Sequence, residues 1–154
     1  SSFSPDGESL LIVSYRSRGA QLYEITPFPD GEIRQLTDGV PVHAFSAAYH
    51  PDNERIFFVR EGGIWSIRRD TLEESCIVNF EGAQLGECSL AADGQWLTAA
   101  AKRGSEQGIV AGHVDGSQWT FIPFPRTIIH PQFHPLDHAG TLIAGEEVAH
   151  DRRR

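Results

Sequence analysis

Phe3-Ser4-Pro5-Asp6-Gly7 returns as Tyr49-His50-Pro51-Asp52-Asn53, then as Leu90-Ala91-Ala92-Asp93-Gly94 and Phe133-His134-Pro135-Leu136-Asp137, in steps of 46, 41 and 43 residues. Its chemistry is that of a turn. Pro presets φ, Asp bonds the backbone just ahead of it, and Gly accepts a positive φ that other residues resist. A short apolar run follows each copy: Leu10 to Tyr15, Ile56 to Val59, Trp96 to Ala100 and Leu142 to Ala144. Bounded by Gly and Asp, runs this short suit buried strands better than helices.

Working outward, a third strand is expected at Gln21 to Ile25, Gly63 to Ile67 and Ile109 to His113. A fourth is expected at Glu32 to Leu36, Ser75 to Asn79 and Gln118 to Ile122. Asp30-Gly31, Asp70-Thr71-Leu72-Glu73 and Asp115-Gly116 supply the hairpins between them. The first strand of each unit then falls at His43 to Tyr49, Leu85 to Leu90 and Ile128 to Phe133. No segment reads as an amphipathic helix.

A repeat of this period, four strands to a unit, is that of propeller blades. The chain therefore reads as all-β: a partial β-propeller of about three four-stranded antiparallel blades plus part of a fourth. One domain is expected over 1–154, with units at about 3–39, 43–82, 85–124 and 128–154. Closed rings typically hold four to eight blades. The sequence thus reads as a piece of a larger ring, whose open sheet edges would pair with missing blades or with a second copy.

The balance of charge narrows the partners. With 154 residues, a formal charge of −8 and a pI near 5.3, the chain lacks the basic surface that general nucleic-acid binding needs. An anionic substrate stays possible, because a local Arg can hold a carboxylate inside an acidic protein. Cys76 and Cys88 form no metal pattern and, set among apolar residues, read as buried thiols. No run approaches the ~18 apolar residues of a membrane span and no charged-then-apolar leader opens the chain, which starts at Ser1 without Met. A cytoplasmic location without membrane partners is expected.

Candidate chemistry gathers at the end. Four of the seven histidines, His130, His134, His138 and His150, lie in a stretch that also holds Asp137, Glu146, Glu147 and Asp151. Strand alternation puts His130, Gln132 and His134 on one face, where they could approach a metal. His134 has a simpler reading, since His-Pro opens the same turn at His50-Pro51-Asp52. His130 precedes its turn by the same offset as Ser46 and Glu87, so all three are expected to line the central channel. An error of one residue would reverse each side chain. Glu147 and His150 follow the fourth unit's second strand, where a loop can present them. Arg152-Arg153-Arg154 reads either as an anion holder or as a solvated tail.

At these residues the sequence resembles the oligogalacturonate lyase family, seven-bladed propellers that cleave pectin fragments with a metal ion. The resemblance rests on His130-Pro131, Phe133, Pro135 and Asp137, then Glu147, His150 and Asp151 at similar spacing. The order and approximate length of the preceding blades extend it over most of the chain. The family has His-Glu-Gly-Pro-His-Asp where this chain has Glu146-Glu147-Val148-Ala149-His150-Asp151, so its first His is absent and Val-Ala replaces Gly-Pro. Pro-Asp-Gly blades also occur in TolB-like and peptidase-associated propellers.

The resemblance implies a carbon–oxygen lyase acting on acidic oligosaccharides (oligogalacturonides) by β-elimination, with His150 catalytic and His130, Glu147 and Arg152 binding substrate. It implies a divalent cation, manganese, in the family. No metal ligand is assigned within this chain, because the family's histidine and glutamine ligands belong to later blades and its proposed catalytic Arg falls just past Arg154. These residues alone are therefore expected not to turn over. The alternative is a non-catalytic TolB-like propeller segment that binds protein or peptide.

Overall fold

A computed structural model describes residues 2–43 and 47–124 in full and, beyond them, the backbone of 128–129, 132–133, 142–143 and 146–147. Every described element is a strand. The first unit holds β1 (Ser2–Phe3), β2 (Leu10–Ser17), β3 (Gly19–Thr26) and β4 (Glu32–Gln35). The second holds β5 (Ala47–Tyr49), β6 (Arg55–Arg60), β7 (Gly63–Arg68) and β8 (Glu74–Asn79). The third holds β9 (Ala83–Leu90), β10 (Trp96–Arg103), β11 (Glu106–His113) and β12 (Thr120–Pro123). Each unit is one four-stranded sheet whose neighbours pair antiparallel in chain order.

Four short strands follow: β13 (Ile128–Ile129), β14 (Gln132–Phe133), β15 (Leu142–Ile143) and β16 (Glu146–Glu147). β13 pairs with β16 and β14 with β15. Ile128 opposite Glu147 and Phe133 opposite Leu142 lie on one antiparallel register, which is the start of a fourth blade.

The repeated turn forms as its residues dictate, three times over. Gly7, Asn53 and Gly94 hold φ of 76°, 62° and 73°, the left-handed region that Gly and Asn tolerate. Their amides donate to Ser4 O, His50 O and Ala91 O at 2.8, 3.0 and 2.9 Å. Asp6, Asp52 and Asp93 each accept the amide two residues ahead, at 2.9, 2.8 and 2.8 Å.

Packing follows from alternation along the second strands. Ile56 and Phe58 of β6 join Leu11, Leu22 and Leu36 of the first unit. Phe57 and Val59, pointing the other way, join Leu85, Cys88, Leu97 and Ala99 of the third. β6 is thus buried on both faces, which explains its continuous apolar run. Burying one such Phe side chain contributes about 1.5–3 kcal/mol. The inner strands lie in order, with β1 beside β5, β5 beside β9 and β9 beside β14.

Of the inner strand read as His43 to Tyr49, Ala47–Tyr49 form β5, His43 lies before the strand and 44–46 are outside the described residues. One expectation changes. Cys76, read as buried, is exposed, whereas Cys88 is buried. β8 is the outermost strand of its sheet, and alternation there gives only part of its side chains a neighbour.

Candidate functional site

The inner strands meet in a cleft of about 460 Å³ lined by parts of β1, β5 and β9 and by the turns after them. Its wall is largely apolar, from Phe3, Pro5, Ala47, Ala48, Pro51 and Leu90. Polar groups come from Ser2, Tyr49, Glu87 and Ser89. Phe3 is 67% exposed beside it. Cys88 also borders the cleft, but burial and then the Glu87 carboxylate push its thiol up to about 12, so it is no nucleophile near neutrality.

Glu87 is presented by an irregularity. Cys88 faces Ala99 and Leu85 faces Ala101, so Gly86 and Glu87 together oppose Ala100 in a β-bulge. Bulges re-aim side chains at strand ends next to binding sites. Of the trio expected to share a channel, Glu87 lies in this cleft, while Ser46 and His130 fall outside the described residues.

The other candidates stand as follows. His150 and Arg152 lie outside the described residues, as do His134, Arg153 and Arg154. Glu147 is described only as backbone, in β16 opposite Ile128. β14, which follows His130 closely in sequence, runs beside β9 and hence beside the strand that carries Glu87. Among the described residues no group of three His, Cys, Asp or Glu side chains could hold a metal ion.

Sequence reading missed the polar links between blades. Asn53 Nδ2 donates to Asp6 Oδ2, tying one turn to the next. The Ser4 hydroxyl and then the Glu8 amide hold the Asp6 carboxyl below its ordinary 3.8. One blade further on, His50 Nε2 donates to Gly94 O at 2.9 Å, which leaves Nδ1 to accept the Asp52 amide at 3.1 Å. A Cβ at Gly94 would stand 2.6 Å from that imidazole nitrogen, so only glycine fits.

The third link is charged. Arg69, in the hairpin after β7, pairs with Glu24 of β3 at 2.7 Å across the first two blades. It also donates to Asn53 O and Oδ1 at 2.9 and 2.6 Å, and its guanidinium lies 5.1 Å from the Tyr49 ring centroid. Tyr49 OH donates to Glu24 at 3.0 Å, and burial, then the Glu24 charge, raises the phenol well above its usual 10. The sequence signal was Glu24 itself: it alternates with Leu22 on an inward face, and a buried carboxylate requires a partner.

With this geometry in hand, likeness to solved structures defines the class: the chain forms blades of a β-propeller. An oligogalacturonate lyase in complex with manganese matches with a TM-score of 0.77 at 18% identity, covering 88% of this chain and 42% of that one. An oligogalacturonate lyase from Vibrio parahaemolyticus matches at 0.73 and 18%, covering 88% and 42%. A TolB candidate from Agrobacterium tumefaciens matches at 0.71 and 23%, covering 86% and 49%. At these identities the likeness shows the fold, and the chain spans less than half the length of each of these neighbours. No protein-family model and no curated protein sequence matches it.

Proposed function

We propose that these blades belong to a lyase that cleaves 4-linked galacturonate oligomers by β-elimination. One coincidence carries the reading. The propellers matched at 0.77 and 0.73 are oligogalacturonate lyases, and the stretch from His130 to Asp151 carries that family's spacing of residues. In this reading His150 takes the proton beside the uronate carboxylate, for which an imidazole has a suitable pKa. The C–H electron pair becomes a carbon–carbon double bond, and the C4–O bond breaks with protonation of the leaving oxygen. Arg152 clamps the carboxylate through two parallel N–H···O bonds, and His130 and Glu147 hold ring hydroxyls.

The manganese belongs to the neighbouring lyase. The described residues of this chain do not form a cage for it, so no step is derived through a cation. The test is absorbance of the unsaturated product from digalacturonate with manganese present, for the protein that carries these blades and for its His150→Ala variant. Turnover that survives His150→Ala, or no unsaturated product at all, would sink the proposal.

A TolB-like segment that binds protein or peptide is the second reading. It is favoured by the 23% identity to the TolB candidate and by the apolar cleft beside exposed Phe3. Saturable peptide binding lost on Phe3→Ser, without any elimination product, would select it.

A further inference from the structure

We infer that Asp38-Gly39 is a site of backbone modification, at which the aspartate cyclises to a succinimide and reopens as isoaspartate. The chain holds five Asp-Gly pairs, beginning at Asp6, Asp30, Asp38, Asp93 and Asp115. Glycine in second place leaves the amide nitrogen open to reaction, because it has no Cβ to shield it. Asp38 differs from the other four in what its carboxyl meets. The Gly39 amide donates to Asp38 Oδ1 at 2.8 Å. That contact holds the nitrogen at near-attack range from Cγ, the carbon it must reach.

The repeated turns protect three of the other pairs. Asp6, Asp93 and Asp115 accept the amide two residues ahead, at 2.9, 2.8 and 2.8 Å, so their carboxyls reach past the adjoining glycine. The glycine amides are engaged elsewhere: Gly7, Gly94 and Gly116 donate to Ser4 O, Ala91 O and His113 O at 2.8, 2.9 and 3.0 Å. Among the described residues no hydrogen bond joins the Asp30 carboxyl to the Gly31 amide. Asp70 does share the contact, since the Thr71 amide donates to its Oδ1 at 2.9 Å, but β-branched Thr71 crowds the nitrogen. The Arg68 guanidinium also holds the Asp70 carboxyl below its ordinary 3.8, and an ionised carboxylate resists attack. Asp38 makes no ion pair among the described residues.

The chemistry needs only water. The Gly39 nitrogen bonds to Cγ of the protonated carboxyl and loses its proton, the C–OH bond breaks, and one water leaves. Water then opens the ring. Addition at Cγ restores aspartate, whereas addition at the Asp38 backbone carbonyl breaks the original C–N bond, so the chain runs on through the side chain with one extra backbone carbon. The crossover between units is pinned at both ends on β3, where Leu36 N donates to Leu22 O at 2.8 Å and Val42 N to Ala20 O at 2.9 Å. Between those pins the side-chain amide of Gln21, a residue 1% exposed, donates to Gly39 O at 3.1 Å. Displacing Gly39 leaves that buried donor without its acceptor, so isoaspartate at position 38 loosens the passage from the first unit to the second. None of this depends on the lyase reading.

The test is incubation of the folded protein at mildly acidic pH and body temperature, followed by peptide mapping with electron-transfer dissociation, which tells isoaspartate from aspartate. Synthetic peptides spanning the five pairs supply the unfolded rates. Isoaspartate is expected at Asp38 at least as fast as in its peptide and at least threefold faster than at Asp30. Asp6, Asp93 and Asp115 should fall at least tenfold below their peptides. Asp38→Glu keeps the charge but closes the larger imide ring far more slowly. That variant should lose most of the methyl ester that an isoaspartate-specific carboxyl methyltransferase, supplied with S-adenosylmethionine, places on the aged protein. Amide exchange at Val42 should quicken on ageing in the wild type and stay constant in Asp38→Glu. The inference is overturned if Asp38 isomerises no faster than Asp30 in the folded chain, if the turn sites lead, or if methylation of the aged protein survives Asp38→Glu unchanged.

Discussion

Replacing Arg69 by Ala should be among the most damaging single changes in the first two blades. Its partner Glu24 has a side chain only 8% exposed, and Arg69 itself is 16% exposed. With the guanidinium gone, Glu24 keeps one strong partner, Tyr49 OH at 3.0 Å, in a site that water reaches poorly. Breaking a buried pair by removing one member costs about 3–5 kcal/mol, because the remaining charge is left uncompensated. The two bonds to Asn53, at 2.9 and 2.6 Å, are lost as well, at about 1 kcal/mol each. A chain of this size loses roughly 2–4 °C of melting temperature per kcal/mol, so a fall of about 10–28 °C is expected. Arg69→Met with Glu24→Leu, which removes both charges and retains volume, should recover most of that loss. Urea denaturation of the wild type, Arg69→Met, Glu24→Leu and the double variant closes the cycle. A loss below about 1 kcal/mol for Arg69→Ala, or additive effects in the double variant, would refute the reasoning.

Thiol labelling separates the cysteines: at mildly alkaline pH, iodoacetamide should add once to the native chain, at Cys76, and twice after urea, as read by intact mass. Because the folded Cys88 thiol is raised to about 12 from 9.0, its contribution is present below 9.0 and lost as pH climbs towards 12. Melting temperature against pH should therefore fall on the alkaline side, and Cys88→Ala should flatten that fall. On the acid side Asp6 and Asp115 lie below 3.8 in the folded state, so their stabilisation is present above 3.8 and lost as pH drops further. Asp6→Asn with Asp115→Asn should make the acid limb shallower. Gly108→Ala places a Cβ 2.2 Å from Ile122 O and should cost about 1–3 kcal/mol in urea unfolding, with refutation by a neutral result.

The fold was readable because its turns are chemically unambiguous. Pro5-Asp6-Gly7 and Asp93-Gly94 each combine a side chain that bonds forward with a residue that accepts positive φ, and both form as expected. Where the signal was burial alone it failed. Cys76 sits in Ser75-Cys76-Ile77-Val78, as apolar as a central strand, and nothing local says that β8 is the last strand of its sheet. The links Asp6 to Asn53, His50 to Gly94 and Glu24 to Arg69 join residues 47, 44 and 45 apart, and alternation within one strand says nothing about a partner a whole blade away.

Those three separations are themselves about one repeat, which explains why the turn sequence is written so strictly. A turn in one blade is the hydrogen-bonding partner of the same turn in the next, so each Asp or His must satisfy its own loop and reach one blade further. The spacing of blades then places the ends of β9 differently. At one end the bulge at Gly86 and Glu87 turns the strand into the cleft beside Tyr49, and at the other Gln84, Lys102 and Gln107 stand in one row across three strands.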